Sequence, residues 1–174
     1  MRWLFIAALL AGCAGAVYRD RDVQISSMAV FDPARYAGLW YKIARYDVPY
    51  ERGCVGVTAR YDLRPDGTLG ILNSCRDGTP DGRLKTIKGH ARMVGPGRLM
   101  VSFDNVPFVA APYWVLWVDE GYRTAVVGVP SGRAGWILNR EPRIPPDRLK
   151  AALQVLEFNG YDSSRLIFAP QVAP

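Results

Sequence analysis

The residues that most often carry out catalysis are sparse in this chain of 174 residues. The single histidine, His90, lies between Gly89 and Ala91, and strand alternation places it on the opposite face from those two small residues. We therefore expect His90 to face solvent. The chain has no Gly-x-Ser-x-Gly elbow, no phosphate-binding loop and too few His and Cys residues for the common zinc sites. These features predict a protein that is not an enzyme and that holds no metal or cofactor.

One cysteine is placed for a covalent modification. A basic start and a short apolar stretch precede Leu10-Ala11-Gly12-Cys13, as is typical of a secretory signal. The last four residues also resemble a bacterial lipobox, in which the chain is cut before the cysteine and the thiol is acylated. We predict a signal peptide over residues 1–12 and a lipid on Cys13. The alternative is an ordinary signal peptide in which Cys13 is incidental.

The residue after the cysteine indicates a destination. It is Ala14 and not Asp, which in lipoproteins of double-membraned bacteria implies export to the outer membrane. The predicted location is the bacterial outer membrane, with the protein lipid-anchored and facing the periplasm. Residues 13–30 are rich in small and polar types and are interpreted as a lipidated tether, followed by one domain over 31–174.

The domain is predicted to be a closed sheet. The 17 glycines and 13 prolines favour short strands joined by tight turns. The predicted strands are 39–46, 54–63, 69–75, 84–94, 99–104, 113–119, 124–129 and 135–139. Eight strands joined by short links suit an antiparallel up-and-down barrel, which leaves no exposed edge and encloses one small ligand. The net charge of +6 is scattered, so a nucleic-acid surface is not expected.

One helix follows the strands. Pro145-Pro146-Asp147 opens it and Asn159-Gly160 ends it. Its apolar residues recur at helical spacing on one side, so we expect a single C-terminal helix packed outside the barrel. A short last strand is predicted over 166–168.

The two remaining cysteines, Cys54 and Cys75, are an even pair in an oxidising compartment. They stand at the far ends of two strands that the Pro65-Asp66-Gly67 turn folds back on each other. Ideal pairing across that turn does not place them opposite one another, so a disulfide needs a bulge. The alternative is two free thiols.

Three motifs resemble those of the lipocalin family. Residues 31–45 contain Gly38 and Trp40 in the family's Gly-x-Trp signature. Residues 119–123 resemble its second motif, with Asp119 and Tyr122, and residues 136–140 resemble its third, an arginine that ends strand eight. The lipobox extends the resemblance to the bacterial outer-membrane lipoprotein lipocalins, relatives of apolipoprotein D. Glu120-Gly121, and Asn139 before Arg140, depart from the commoner residues.

The motif residues are expected to be structural. Gly38 allows a tight turn into the closed end, Trp40 plugs that end, and Arg140 lies over the tryptophan face in a cation–π contact. Arginine beside tryptophan supplies neither a nucleophile nor a base.

The resemblance implies a small apolar ligand, a fatty acid or a lysophospholipid, held in the barrel for storage or transport. Alternation assigns ten candidate cavity residues: Val57, Ala59, Tyr61, Ile71, Ile87, Ala91, Val101, Phe103, Tyr113 and Val115. Small residues such as Ala59 and Ala91 are expected to leave room for the ligand. Two alternatives stay open, a structural lipoprotein with a filled barrel and a lipocalin-like enzyme acting on a lipid. The oligomeric state, monomer or dimer, is also open.

Overall fold

The strands form one antiparallel meander that closes on itself, in a computed structural model that describes residues 15–171. The strands are β1 Gly38–Arg45, β2 Cys54–Leu63, β3 Leu69–Asp77, β4 Leu84–Gly95, β5 Arg98–Phe103, β6 Ala110–Val118, β7 Thr124–Gly128, β8 Gly135–Asn139 and β9 Ile167–Phe168. The helices are α1 Pro33–Tyr36 and α2 Pro146–Phe158, with 3-10 turns at Pro49–Glu51 and Ser163–Arg165.

Strand β1 closes the barrel because it pairs with both β2 and β8. Trp40 lies opposite Ala59 of β2, and Lys42 lies opposite Leu138 of β8. From β2 to β8, consecutive strands pair with each other. The predicted eight-stranded antiparallel barrel with one outer helix is confirmed.

Strand β6 begins three residues earlier than predicted, at Ala110 instead of Tyr113. Pro112 lies within this extension and faces Met100 of β5. The pairing with β7 begins only at Trp114. Pro112 therefore occupies a part of β6 with one partner strand, where its missing N–H breaks no ladder.

The two ends of the barrel differ. We call the end where β1 begins the floor and the opposite end the mouth. Four loops surround the mouth: residues 46–53, 78–83, 104–109 and 129–134. The floor is covered by the chain that leads into β1 and by the 119–123 turn.

Trp40 and Arg140 seal the floor. The Trp40 side chain is fully buried, and the Arg140 guanidinium carbon lies 3.8 Å from the centre of its ring. The same guanidinium donates hydrogen bonds to the carbonyls of Arg35, Ala37 and Leu39 at 2.8–2.9 Å. The predicted cation–π contact is present, and the arginine also fixes the entry of the chain into the barrel.

Gly38 permits that entry. Its φ is +101°, which favours glycine, and an added Cβ would lie 3.1 Å from Nη1 of Arg140. The second motif supports the same region, because the Asp32 N–H donates to the Tyr122 hydroxyl at 3.0 Å.

Asp119 organises the turn between β6 and β7. Its carboxylate accepts from the N–H groups of Arg123 and Thr124, both at 2.6 Å, and from Nε of Arg123 at 2.9 Å. Burial alone raises the pKa of Asp119, but these backbone and guanidinium contacts outweigh it and lower the pKa below its usual value.

Helix α2 packs on the outer wall of the barrel, as predicted. Ala152 and Leu156 are fully buried, beside Val126 and Ile137 of the wall. This cluster is separate from the one inside the barrel, so the wall strands are apolar on both faces. No helix within residues 15–171 is long and apolar enough to cross a bilayer.

Within the predicted tether, the segment from Tyr18 onward is docked on the domain. The Tyr18 ring stacks on Tyr46 at 4.7 Å, and its N–H donates to Gly132. Arg19 is buried and donates to the Asn159 carbonyl at 2.8 Å. The predicted signal peptide 1–12 and acylated Cys13 lie outside the described residues.

Cys54 and Cys75 form the predicted disulfide, with their Cα atoms 5.5 Å apart. The required bulge is present, because the β2–β3 register shifts between Val55 and Thr58. Gly56 lies in this bulge with φ +60°. The bridge joins two strands next to the mouth.

Replacing the two floor residues tests their contact. Trp40→Ala is expected to lower the free energy of unfolding by about 3–5 kcal/mol, because it removes a fully buried ring. Arg140→Ala should lower it less. A double-mutant cycle in urea should give a coupling of about 1 kcal/mol, with Arg143→Ala, at an exposed position, as the control. Strict additivity would show that Arg140 does not stabilise the protein through Trp40.

The Asp119 turn should make stability depend on pH. Asp119→Asn is expected to lower the free energy of unfolding by about 1.5–3 kcal/mol at pH 7, because ionised acceptors make the stronger hydrogen bonds. Since the folded pKa is lowered, the carboxylate stabilises above the unfolded pKa of about 3.9 and less as pH falls towards the folded value. Urea unfolding of the unsubstituted protein and of Asp119→Asn measures this, and the difference between their free energies of unfolding should be smaller at pH 2.5 than at pH 7. An equal difference at both pH values would show that the charge of the Asp119 carboxylate does not stabilise the turn.

Candidate functional site

A cavity of about 80 Å³ lies inside the barrel between its middle and its mouth. Apolar side chains from five strands form most of its wall, and three polar or charged residues face it. The lining residues are Lys42, Tyr50, Glu51, Tyr61, Ile71, Asn73, Val101, Phe103, Ala111, Pro112, Tyr113, Trp136 and Leu138.

Three tyrosines fill the barrel between the cavity and the floor. The Tyr113 hydroxyl is 2.8 Å from the hydroxyls of both Tyr36 and Tyr61, so the three form one hydrogen-bonded chain. Burial raises the pKa of Tyr61 to about 12 and raises the pKa values of Tyr36 and Tyr113. The three groups therefore stay protonated at neutral pH and do not act as bases.

Charged side chains close the upper part of the cavity. Lys42 and Glu51 are 5 % and 6 % exposed, and Lys42 Nζ donates to Glu51 Oε1. Nζ also lies 5.0 Å from the centre of a Trp136 ring. Arg45 is buried behind this pair, with its Nε 3.6 Å from Glu51 Oε2. The Pro49–Glu51 turn thus places a carboxylate over the cavity from the mouth side.

The ten predicted cavity residues occupy different environments. Five of them line the cavity: Tyr61, Ile71, Val101, Phe103 and Tyr113. Ala59, Ala91 and Val115 belong to the packed cluster inside the barrel, at 2 %, 1 % and 0 % exposure. Val57 is buried and Ile87 is partly exposed, and neither lines the cavity.

The small size of Ala59 and Ala91 does not create the expected space. Both alanines point into the barrel, because both belong to the buried cluster that contains Trp40. Larger neighbours in the same cluster cover both methyl groups. A tryptophan at either position would strain packed structure and would not fill a void.

The most informative residues of the site are absent from the predicted set. Lys42 follows Trp40 by two residues on β1, so alternation from the inward tryptophan would have found it. Glu51 lies in a loop, and its position depends on the fold of the Pro49–Glu51 turn. Asn73 and Trp136 line the cavity through ordinary alternation.

His90 and the exposed aspartates of the strands and turns lie away from the cavity. His90 is exposed on the outer face of β4, as expected. The turn and edge carboxylates Asp62, Asp66, Asp77 and Asp81 are also exposed. Among residues 15–171, no group of three His, Cys, Asp or Glu side chains is arranged to hold a metal ion.

Comparisons with known proteins agree with this architecture. The family model described as "Lipocalin-like domain" matches residues 31–171. The chain is 41 % identical to "Outer membrane lipoprotein Blc" of Escherichia coli (strain K12) over 145 residues, which cover 81 % of this chain and 80 % of that protein. A protein of the same name from Vibrio cholerae is 33 % identical over 178 residues, covering 98 % and 99 %.

A solved structure shows the same fold at lower identity. Insecticyanin from Manduca sexta superposes with a TM-score of 0.70 at 20 % identity, covering 84 % of each chain. The predicted family resemblance is confirmed by the matched domain and by the identity to these relatives. The chain belongs to the lipocalin family.

Proposed function

We propose that this protein is a lipid-anchored lipoprotein of the bacterial outer membrane that binds a fatty acid or lysophospholipid inside its barrel, for storage or transport. The observation that carries the proposal is the cavity, because its wall is mainly apolar and lies in a closed barrel. Burial of an acyl chain there would contribute about 0.8 kcal/mol for each methylene removed from water. The proposed activity is binding and not catalysis.

The described state is a closed one. A cavity of about 80 Å³ holds little more than two or three water molecules, and ligand pockets are roughly 300–1,000 Å³. An acyl chain therefore requires side chains at the mouth to move. Tyr50 and Glu51 are suited to this, because both belong to one short loop turn.

A second function is favoured by the tyrosine chain. Tyr36, Tyr61 and Tyr113 occupy the lower barrel and satisfy one another's hydroxyl groups. A barrel filled in this way also suits a structural lipoprotein that binds nothing. The two functions differ in whether the purified protein takes up an acyl chain.

The membrane anchor rests on the sequence and on the relatives. Leu10-Ala11-Gly12-Cys13 supplies the acylation signal. The Vibrio cholerae relative, named as an outer membrane lipoprotein, matches over 98 % of this chain. The outer-membrane, periplasm-facing location is proposed on the same grounds.

A bulky side chain at the cavity wall near the mouth should weaken ligand binding. Ala111 lines the cavity, and Ala110 is its neighbour on the opposite face of β6. Ala111→Trp is expected to weaken palmitate binding by about tenfold or more through steric exclusion. Ala110→Trp, the matched control, should bind as the unsubstituted protein does, in calorimetric titrations with acyl chains of several lengths.

Two results would contradict the proposal. Equal weakening by Ala110→Trp and Ala111→Trp would place the ligand elsewhere. A protein that yields no lipid on organic extraction, after purification without detergent, and that shows no heat with any chain length would support the structural function instead.

Loss of the acylated cysteine should release the protein. Cys13→Ala is expected to leave an uncleaved or unacylated chain, because the thiol is the acylation site. Labelling cells with radioactive palmitate and separating membrane from soluble fractions measures this. Continued labelling of the Cys13→Ala protein would rule out the proposed anchor.

A further inference from the structure

Two buried cations project from β1 towards the inside of the barrel and its mouth. Lys42 lies two residues beyond the inward-facing Trp40, and its side chain is 7 % exposed. Arg45 lies opposite Trp136, and its side chain is 8 % exposed. Burying a cation is unfavourable unless a counter-charge accompanies it, so both residues require an anion at this place.

The anion present is a carboxylate from a loop. Glu51 reaches in from the Pro49–Glu51 turn and pairs through Oε1 with Lys42 Nζ. Its Oε2 is buried, lies 3.6 Å from Arg45 Nε and has no hydrogen-bond partner among residues 15–171. A buried carboxylate oxygen without a donor is an incompletely satisfied acceptor. The fit of Glu51 to these cations is therefore imperfect.

The start of the 46–53 loop is fixed, because Tyr46 and Val48 are buried and the Tyr18 hydroxyl donates to the Asp47 carbonyl at 2.8 Å. The Pro49–Glu51 turn that follows is held to the barrel by Arg45, whose Nη2 donates to the Glu51 carbonyl at 3.2 Å. Tyr50, next to Glu51, is 68 % exposed, although its side chain borders the cavity. Asp47, at the start of the loop, lies 3.7 Å from Arg45 but pairs with the exposed Arg52 at 2.7 Å. Inside the barrel, two cations thus face one carboxylate.

We infer that Lys42 and Arg45 form a binding site for the acid group of the ligand, and that the Glu51 carboxylate occupies this site when no ligand is bound. The inference rests on the proposed function, since it assigns the ligand class for the same cavity. The acid group is a carboxylate or a phosphate. It replaces Glu51 beside Lys42, and the Pro49–Glu51 turn moves outward and carries the Glu51 carboxylate into water.

The exchange explains why the acid group is required. When an acid replaces Glu51, the number of buried charges is unchanged, so the two cations stay compensated. An alcohol of the same chain length would leave Lys42 and Arg45 without a counter-charge once the loop had moved. The site therefore selects acidic amphiphiles over neutral ones, and the acid group lies inside the barrel beside Trp136 and not at the rim.

The test compares three ligands with one chain length. Dodecanoate, monododecyl phosphate and 1-dodecanol are titrated calorimetrically into the whole mature protein and its variants. The unsubstituted protein is expected to bind at least one acid about tenfold more tightly than the alcohol. The tighter of the two acids distinguishes a fatty-acid carboxylate from the phosphate of a lysophospholipid.

Three variants assign the selectivity to residues. Lys42→Met should weaken acid binding by about tenfold or more and leave alcohol binding within about threefold. Glu51→Gln should strengthen acid binding by about tenfold, because it removes the competing carboxylate. Asp104→Asn is the matched control, because it removes an exposed carboxylate from another loop at the mouth, and it should change neither affinity beyond about threefold.

A double variant separates loss of selectivity from loss of folding. Lys42→Met with Glu51→Gln removes both members of the buried pair, so it leaves neither uncompensated, and thermal melts verify its fold. This variant should lose most of its preference for acid over alcohol. A preference that persists undiminished would overturn the inference.

Failure of the inference differs from failure of the proposed function. If all three ligands bind and Lys42→Met leaves the acid-to-alcohol ratio unchanged, the barrel binds lipids but Lys42 does not select them. If none of the three binds the unsubstituted protein, the proposed ligand binding itself is wrong.

Discussion

The clamp that Arg140 places on the chain before β1 is the interaction on which the rest of the structure depends. One guanidinium covers the face of Trp40 and donates hydrogen bonds to the carbonyls of Arg35, Tyr36, Ala37 and Leu39. This fixes the point at which β1 enters the barrel and therefore which of its side chains face inward. A slip of one residue would turn Trp40 and Lys42 to the outer wall. The floor thus determines the chemistry of a cavity that it does not touch.

The floor and the mouth of the barrel differ in how completely their polar groups are paired. At the floor, a fully buried tryptophan, a multiply bonded arginine and the Asp119 turn give a region with its polar groups paired. At the mouth, a loop supplies only the carboxylate of a buried ion pair, and one oxygen of that carboxylate has no hydrogen-bond partner among residues 15–171. Regions with fewer satisfied contacts open at lower free energy. This difference supports the proposal that the mouth opens to admit a ligand while the floor stays closed.

The barrel itself could be predicted because its pattern is local. Alternation, turn residues and three motifs define the strands. The early start of β6 was not predicted, because a proline argues against a strand unless it is known which neighbouring strands pair there. The charged cavity wall could not be found in the same way. Lys42 was within reach of alternation, but Glu51 enters the barrel through a loop whose path depends on tertiary contacts. The docking of residues 18–30 was not predicted for a related reason, because composition does not show that Tyr18 and Arg19 have partners on the domain.

The docking of Tyr18 has a consequence for how a lipid would reach the barrel. Tyr18 binds Gly132 and, through its hydroxyl, the Asp47 carbonyl, so the chain joins the domain beside the mouth. Tyr18 lies five positions after Cys13, and an extended chain of five residue steps spans at most about 17 Å. If Cys13 carries the proposed lipid, this short connection keeps the mouth of the barrel close to the membrane leaflet that holds the lipid. Uptake of a ligand by the barrel would then depend on the number of amphiphile molecules per unit area of that leaflet. It would depend little on the amphiphile concentration in the surrounding water.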